Sequence, residues 1–518
     1  MKRIVALVCV LALVLGTVLV SLYLLTEDDQ QSETIAAPQR PPASEADSAG
    51  ATDAPEPDLA PYYTQQVEWS GCGQGFECGW LKVPMDYDEP GGKELDIALL
   101  KVLAGDQERR VGSLVVNPGG PGAPGTEYAA QASLVFREPL RRYFDIVGFD
   151  PRGTGRSNPV DCLSDTELDA YLASDPDPDE PAEEQEFLDW ADRLGQGCAK
   201  RSGDLANHVS TVEAARDMDV LRAALGESEL DYFGASYGTK LGATYAELFP
   251  ERVGRMVLDG AVDVSATSRE LSLGQAGGFE LAIRSYVSDC VESGDCFLGD
   301  TVEQGLARIK KLLADIDRKP LPTSGDRELT VGNAFYGIVA PLYNRSYWPL
   351  LSSALRQAIE GRGDALMELS DLYSSRGPDG YTDNSSEAIY AINCLDDPSS
   401  VPADQIPQEY AAFDKVSPTF GRVFAWGLIG CEGFVGEPAE PLEIDGSGAA
   451  PILVIGTTRD PATPMEWAET LADQLESGVL VRRDGDGHTG YNAGNSCVDE
   501  VVEDYLLDDV VPQGEVSC

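Results

Sequence analysis

At 518 residues the chain is too long for one small domain, and a hydrophobic content of 42% is enough to build a sizeable core. Its 88 acidic residues against 38 basic ones give a formal net charge of −50. A surface that acidic repels phosphate backbones and anionic headgroups, so nucleic acid and anionic lipid are disfavoured as partners. The charge fits solubility or a salty habitat, with a field that steers cationic peptides as the alternative reading.

In chain order, Lys2 and Arg3 precede an apolar run over residues 4–25, and Glu27, Asp28 and Asp29 follow it. This charge pattern predicts export of the body. The run is long enough to span a bilayer. No small-x-small cleavage site follows it closely, and Val8 stands where a lipoprotein signal ending at Cys9 needs a small residue. Residues 1–26 are therefore expected as a signal peptide or a membrane anchor, with the body secreted or held at the cell envelope. Residues 27–60 are rich in Ala, Pro, acidic residues, Ser and Thr, without an aromatic before Tyr62. That composition predicts a flexible acidic tether.

From about residue 95 the pattern becomes β/α. Apolar, β-rich runs cover 95–102, 112–117 and 144–150, then an acidic helix-prone stretch occupies 163–200. Residues 211–226 read as an amphipathic helix, with Ala214, Met218, Leu221 and Leu225 on one face and Gly226 at its end. Strand patterns recur at 230–233, 255–259, 451–457 and 479–482. Strands alternating with helices imply a mostly parallel sheet with helices on both faces. The interval 264–450 breaks the rhythm with mainly helical patterns and loops, and is expected as a cap inserted between late strands, over the carboxyl edge of the sheet. The α/β core is then expected from 61–263 and 451–518. An independent domain away from the site is the alternative for 264–450.

Besides Cys9, ten cysteines form an even set without zinc-ligand spacing, which fits disulfides in an oxidising compartment. Pairing of sequence neighbours gives Cys72–Cys78, Cys162–Cys198, Cys290–Cys296, Cys394–Cys431 and Cys497–Cys518, although spacing alone does not fix connectivity.

The chemistry-bearing residues converge on acyl transfer. Gly234-Ala235-Ser236-Tyr237-Gly238 is a G-x-S-x-G motif between a short apolar strand and a helix opening with small residues, the context a nucleophile elbow requires. A serine hydroxyl needs a base within hydrogen-bond reach, and the chain has only two histidines. His488, in the loop after the last strand pattern, is the candidate base; His208, upstream of the elbow, is the weaker one. Asp460 ends the strand pattern in PILVIGTTRDPATP, in a turn stiffened by Pro461 and Pro464, and is the candidate partner for the imidazole. Asp484 and Asp486 are rivals that would have to fold back. The glycine- and proline-rich loop 115–125 supplies backbone N–H groups for an oxyanion: the expected donors are Tyr237 and one of Gly119 or Gly120, with Gly120 favoured. No P-loop, dinucleotide fingerprint or metal-ligand cluster occurs, and two histidines cannot make a histidine-rich metal site, so no metal or cofactor is expected.

The blocks VVNPGGPGAPG, FDIVGFDPRGTGRSNPVDC, DYFGASYGTKLGATYAELFPERVGRMVLDGAVD, GTTRDPATP with DGHTGY, and the terminal cysteines together resemble secreted actinobacterial tripeptidyl aminopeptidases. These are relatives of the prolyl aminopeptidases and include cell-envelope hydrolases described as carboxylesterases. The resemblance runs from about residue 60 to Cys518 and is weakest over the cap, where IYAINCLDD and FAWGLIGCEGF carry it. It implies the α/β-hydrolase fold, Ser236 as acylated nucleophile, His488 as general base and acid, Asp460 as its orienter, Gly120 and Tyr237 as oxyanion donors, and peptide or protein N-termini as substrates. Arg152 is expected to brace the loop beside the elbow. Where prolyl aminopeptidases carry a histidine before the paired glycines this chain has Asn117-Pro118, which points away from simple proline removal. Exopeptidase selectivity needs an acidic group for the substrate α-ammonium; Asp396 and Asp397 are candidates, against the plainer reading of solvated loop acids. An esterase or lipase of the same fold and a catalytically silent binding protein are the alternatives.

Overall fold

Runs of apolar and β-branched residues fold into ten strands of a single sheet in the computed structural model, which describes residues 38–43 and 49–518. In chain order the strands are β1 (Ser70–Gly71), β2 (Phe76–Pro84), β3 (Glu94–Val102), β4 (Gly112–Asn117), β5 (Phe144–Phe149), β6 (Leu230–Ala235) and β7 (Val253–Asp259). A separate two-stranded hairpin, β8 (Arg376–Gly377) and β9 (Gly380–Tyr381), precedes β10 (Ile452–Arg459), β11 (Gly478–Asp486) and β12 (Val516–Ser517). The sheet order is β1-β2-β3-β5-β4-β6-β7-β10-β11-β12. Within this sheet β1, β2 and β3 pair antiparallel, as do β3 and β5, and the remaining pairings are parallel. Every residue of β4, β5 and β6 is buried, as a parallel strand covered on both faces demands. The antiparallel β2 edge had no counterpart in the sequence reading. Its burial alternates only in its second half, so its period-2 signal is short.

The Thr211–Leu225 helix starts on a capping box between Ser210 and Glu213 and stops at Gly226, whose φ of +79° is the left-handed cap that glycine accepts. The apolar core runs from Leu81, Ile97 and Val115 through Met218, Tyr232, Leu241 and Leu258 to Val454 and Leu471.

Gln39–Cys518 is one unit; of the preceding unit, Met1–Pro38, only Pro38 is described. The apolar segment expected as signal or anchor thus lies outside the described residues. Among the described residues no helix is long and apolar enough to cross a membrane. Within the stretch expected as a tether, several residues dock on the body. Arg40 pairs with Asp231 at 2.6 Å, the Ala51 carbonyl accepts from Arg222 at 3.0 Å, and the Asp53 carbonyl accepts from Arg252 at 2.7 Å. Leu59 is buried beside Tyr62 and Tyr63. Composition misses this docking because most of it is made by an ion pair and by backbone carbonyls meeting arginines, with Leu59 as the buried apolar anchor.

Between β7 and β10 a set of helices surrounds its own apolar cluster, including Phe279, Ile283, Ile309, Leu351, Leu355 and Phe420. Two helices from the β5–β6 connection join this layer. Gly332 packs against carbonyls of Leu172 and Ser174 that end the Asp165–Ala173 helix, and Phe187 of the Pro181–Ser202 helix stacks edge-on against Trp426. In the other direction, Ala388, Ala391, Ile392 and Leu395 of the Ser385–Asp396 helix are buried in the sheet's core cluster. Five disulfides join sequence neighbours, Cys72–Cys78, Cys162–Cys198, Cys290–Cys296, Cys394–Cys431 and Cys497–Cys518.

Candidate active site

Four loops meet at the carboxyl edge of the sheet, because β4, β6, β7, β10 and β11 are parallel and end on one rim. Ser236 sits between β6 and the Tyr237–Leu248 helix with φ +57° and ψ −126°, a backbone conformation that costs a non-glycine residue about 1–3 kcal/mol. The turn is that sharp because the helix packs directly on the strand: a side chain on Gly234 would come within 2.3 Å of the Gly238 carbonyl oxygen.

The loop after β4 lies against this elbow. Gly119 has φ +96°, and a Cβ there would lie 2.8 Å from Ser236 Cβ and 2.9 Å from Tyr237 N. The Gly119 N–H is taken by Asn117 Oδ1 at 2.9 Å. Among the described residues no protein acceptor takes the N–H of Gly120 or of Tyr237. Both amides are therefore candidate donors to an oxyanion.

His488 and Asp460 are brought together across adjacent strands. The imidazole Nδ1 is 2.9 Å from both carboxylate oxygens of Asp460, which is 1% exposed. Three backbone amides, of Ala462, Thr463 and Thr489, also donate to that carboxylate. Thr463 Oγ1 lies 3.3 Å from the same ring nitrogen. With Nδ1 facing the carboxylate, Nε2 is left as the basic nitrogen; it is buried and has no hydrogen-bond partner in the protein. Burial disfavours the imidazolium, but the Asp460 charge and hydrogen bond outweigh it, with a further push from Asp259, and hold His488 above the ordinary histidine value. Ser236 and the ring share one neighbourhood. The Ser236 N–H donates to the Asp259 carbonyl, and the next residue, Gly260, would place a Cβ 3.1 Å from His488 Cε1. Ser236 Oγ and His488 Nε2 are not hydrogen-bonded to each other, and such catalytic contacts commonly tighten only around substrate.

The other candidates are engaged elsewhere. His208 Nδ1 meets Glu213 at 2.9 Å. Asp484 and Asp486 are paired with Arg459. Arg152 is fully buried, forked onto Asp217 at 2.7 and 2.8 Å and bonded to the carbonyls of Pro84, Met85 and His208. Asp396 and Asp397, the candidates for holding a substrate ammonium, both already have partners within the protein. Asp396 accepts from Thr211 N, Thr211 Oγ1 and Lys240 Nζ. Asp397 accepts from Ser268 and Ser399, bonds that overcome burial and hold its carboxyl below the usual value. Neither carboxylate faces the loop solvent that the sequence suggested, because each fastens the end of a helix.

The helical layer touches three of the four loops. Gly122 packs on Ala388 and the Ser385 carbonyl; Gln275 donates to the Ala462 carbonyl; and the Tyr343 carbonyl accepts the His488 N–H at 2.7 Å while its ring stands edge-on to the imidazole, 5.4 Å between centroids. Thr463 and Tyr343 were missed in the sequence. Thr463, three residues after Asp460 in the same turn, was findable from that spacing; Tyr343 had no local signal. A cleft of 730 Å³ is lined by His488 together with Tyr343, Arg345, Arg459, Arg483 and Asp486.

Residues 417–518 match the TAP-like protein family. Over 482 residues the chain is 36% identical to "Serine protease Hip1" of Mycobacterium tuberculosis, covering 88% of this chain and 92% of the relative. It is 37% identical over 511 residues to "Carboxylesterase B" of Mycobacterium tuberculosis (93% and 95%), and 32% identical over 478 residues to "Tripeptidyl aminopeptidase" of Streptomyces lividans (87% and 86%). The chain therefore belongs to this actinobacterial family of α/β-hydrolases and is a serine hydrolase of the peptidase-like kind.

Proposed function

We propose that the protein is an extracytoplasmic enzyme that cleaves short peptides from free N-termini through an acyl-enzyme on Ser236, with His488 as base and acid, Asp460 as its orienter, and Gly120 and Tyr237 as oxyanion donors. The observation that carries this reading is the buried Asp460–His488 pair with a free Nε2, set beside a strained serine and two unclaimed amides. Ser236 Oγ attacks the scissile carbonyl carbon and its proton passes to Nε2. The developing O⁻ takes the N–H groups of Gly120 and Tyr237. The C–N bond then breaks as the imidazolium protonates the leaving amine, and water repeats the sequence to release the N-terminal fragment.

Selectivity for chain ends is supported by the helical layer, which packs on the oxyanion loop, the acid turn and the histidine loop and so narrows the approach that an internal segment needs. Export is supported by the basic and apolar N-terminus and by five disulfides; attachment to the membrane through residues 1–26 is part of the same proposal. The likeness to carboxylesterase B favours a second reading, an esterase using the same residues. Profiling free against N-acetylated peptides of graded length, beside p-nitrophenyl esters, separates the two. Cleavage of free tripeptide-bearing substrates at least tenfold over acetylated ones is expected. Equal cleavage of both removes the exopeptidase reading, and ester turnover without peptide turnover establishes the esterase.

A further inference from the structure

Asp259 ends β7, between the elbow strand and the strand that carries Asp460. It is 1% exposed and has no cationic partner within ion-pair distance among the described residues. Its two oxygens instead accept the N–H groups of Gly490 at 2.7 Å and Tyr491 at 2.9 Å, the second and third residues after His488. Arg483, 8% exposed, also holds this loop, donating to the carbonyls of Asp486, Thr489 and Ala493. The Asp259 backbone carbonyl meanwhile accepts from Ser236 N at 2.9 Å. One residue thus touches the nucleophile's backbone and the base's loop together. A buried carboxylate costs several kcal/mol unless something uses it, and a neutral residue would suffice to fill the space.

We propose that Asp259 is a positioning residue for the base: its carboxylate clamps the backbone beyond His488 and keeps the imidazole over the elbow. This rests on the triad reading above. The charged and titratable groups around Asp259 are His488 on the clamped loop, Asp460 after β10, Arg483 on β11 and Tyr128 on the Gly125–Ala130 helix. Burial pushes its carboxyl up to about 6, against the pull of the two amides and of His488. As pH falls through that value Asp259 gains a proton, loses an acceptor site and loses the charge that favours the imidazolium. Activity is then lost on the acid side through two protonations, Asp259 and His488, rather than one.

The test is the rate of Ser236 labelling by a fluorophosphonate, followed from pH 5 to 9 in the full chain and in Asp259→Asn, with KM for a peptide substrate measured beside it. Labelling in the variant is expected to fall by about 10–100-fold at pH 8, the scale of a misplaced reacting group, with KM within about threefold. The acid limb is expected to move to lower pH and to flatten from a slope near two toward one. Labelling within twofold of wild type overturns the inference, as does a loss of rate with an unmoved acid limb, which is the mark of a purely structural residue. Should Asp259→Asn not accumulate, Asp259→Ser is read by the same criteria. A wild type that resists the probe overturns the triad reading, and this inference with it.

Discussion

The sheet and the helical layer above it are both built on buried aliphatic and aromatic side chains, yet they differ in how their functional parts are fixed. At the sheet rim, position is a consequence of register: Asn117 lies beside Gly234 and Thr457 beside Arg483, so the four loops emerge side by side from parallel strands. The helical layer has its own core, and where the Ser385–Asp396 helix packs its apolar face on the sheet's core, directional bonds from a few side chains fasten it further. Asn384 bonds Gly155 N, Gly153 O and Val160 O; Glu387 takes the amides of Cys162 and Leu163; Asp396 ties Thr211 and Lys240. Apolar contacts tolerate sliding, whereas hydrogen bonds weaken steeply with angle. The difference teaches that chemistry and access are separable here: the sheet sets the candidate reacting atoms, and the polar straps help set how the helical layer sits on them.

Substitutions on the two sides should therefore fail differently. Ser236→Ala is expected to lower kcat by about 10⁴–10⁶-fold and to abolish fluorophosphonate labelling, with thermal stability little changed. A variant that unfolds, or one that keeps labelling, breaks the separation at its strongest point. Asp460→Asn should cost about 10³–10⁴-fold in kcat. The sign of its pH effect follows from the partner it removes. Asp460 holds the imidazole above the ordinary histidine value, so the wild-type acid limb of kcat/KM lies above that value and moves to lower pH in the variant. An acid limb that stays in place would mean another group controls it. The smallest effect on chemistry is expected from Asp396→Ala, on the strap. It leaves Thr211 and Lys240 without their acceptor and should destabilise the protein by about 2 kcal/mol, seen as a lower melting temperature. KM should rise severalfold while labelling of Ser236 changes less than tenfold. A kcat loss as large as that of Asp460→Asn would show that cover and chemistry are one system.

Most of the rim could be read in advance because it is local. The strand over 112–117, the helix from Thr211 with Gly226 at its end, and the strand–turn–helix around Ser236 each rest on periodicity, caps and small residues within a dozen positions. The places where reading failed involve partners far apart in the chain. Asp396 looked like a free loop acid because Thr211, 185 residues earlier, and Lys240, 156 residues earlier, are invisible to any local pattern. Residues 49–60 looked like a tether because their partners are arginines of a helix and turn near residues 222 and 252.

Residue type and order along the chain were enough to nominate a candidate nucleophile, base, acid and oxyanion loop, since each demands a particular side chain next to a particular kind of turn. Which acids are spent on fastening helices, which carbonyl receives the His488 amide, and which helices lie on the sheet were decided only by folding. Those choices are made by pairings across hundreds of residues. The free energy of such a pairing depends on burial and angle, and neither exists until the sheet has closed around its core.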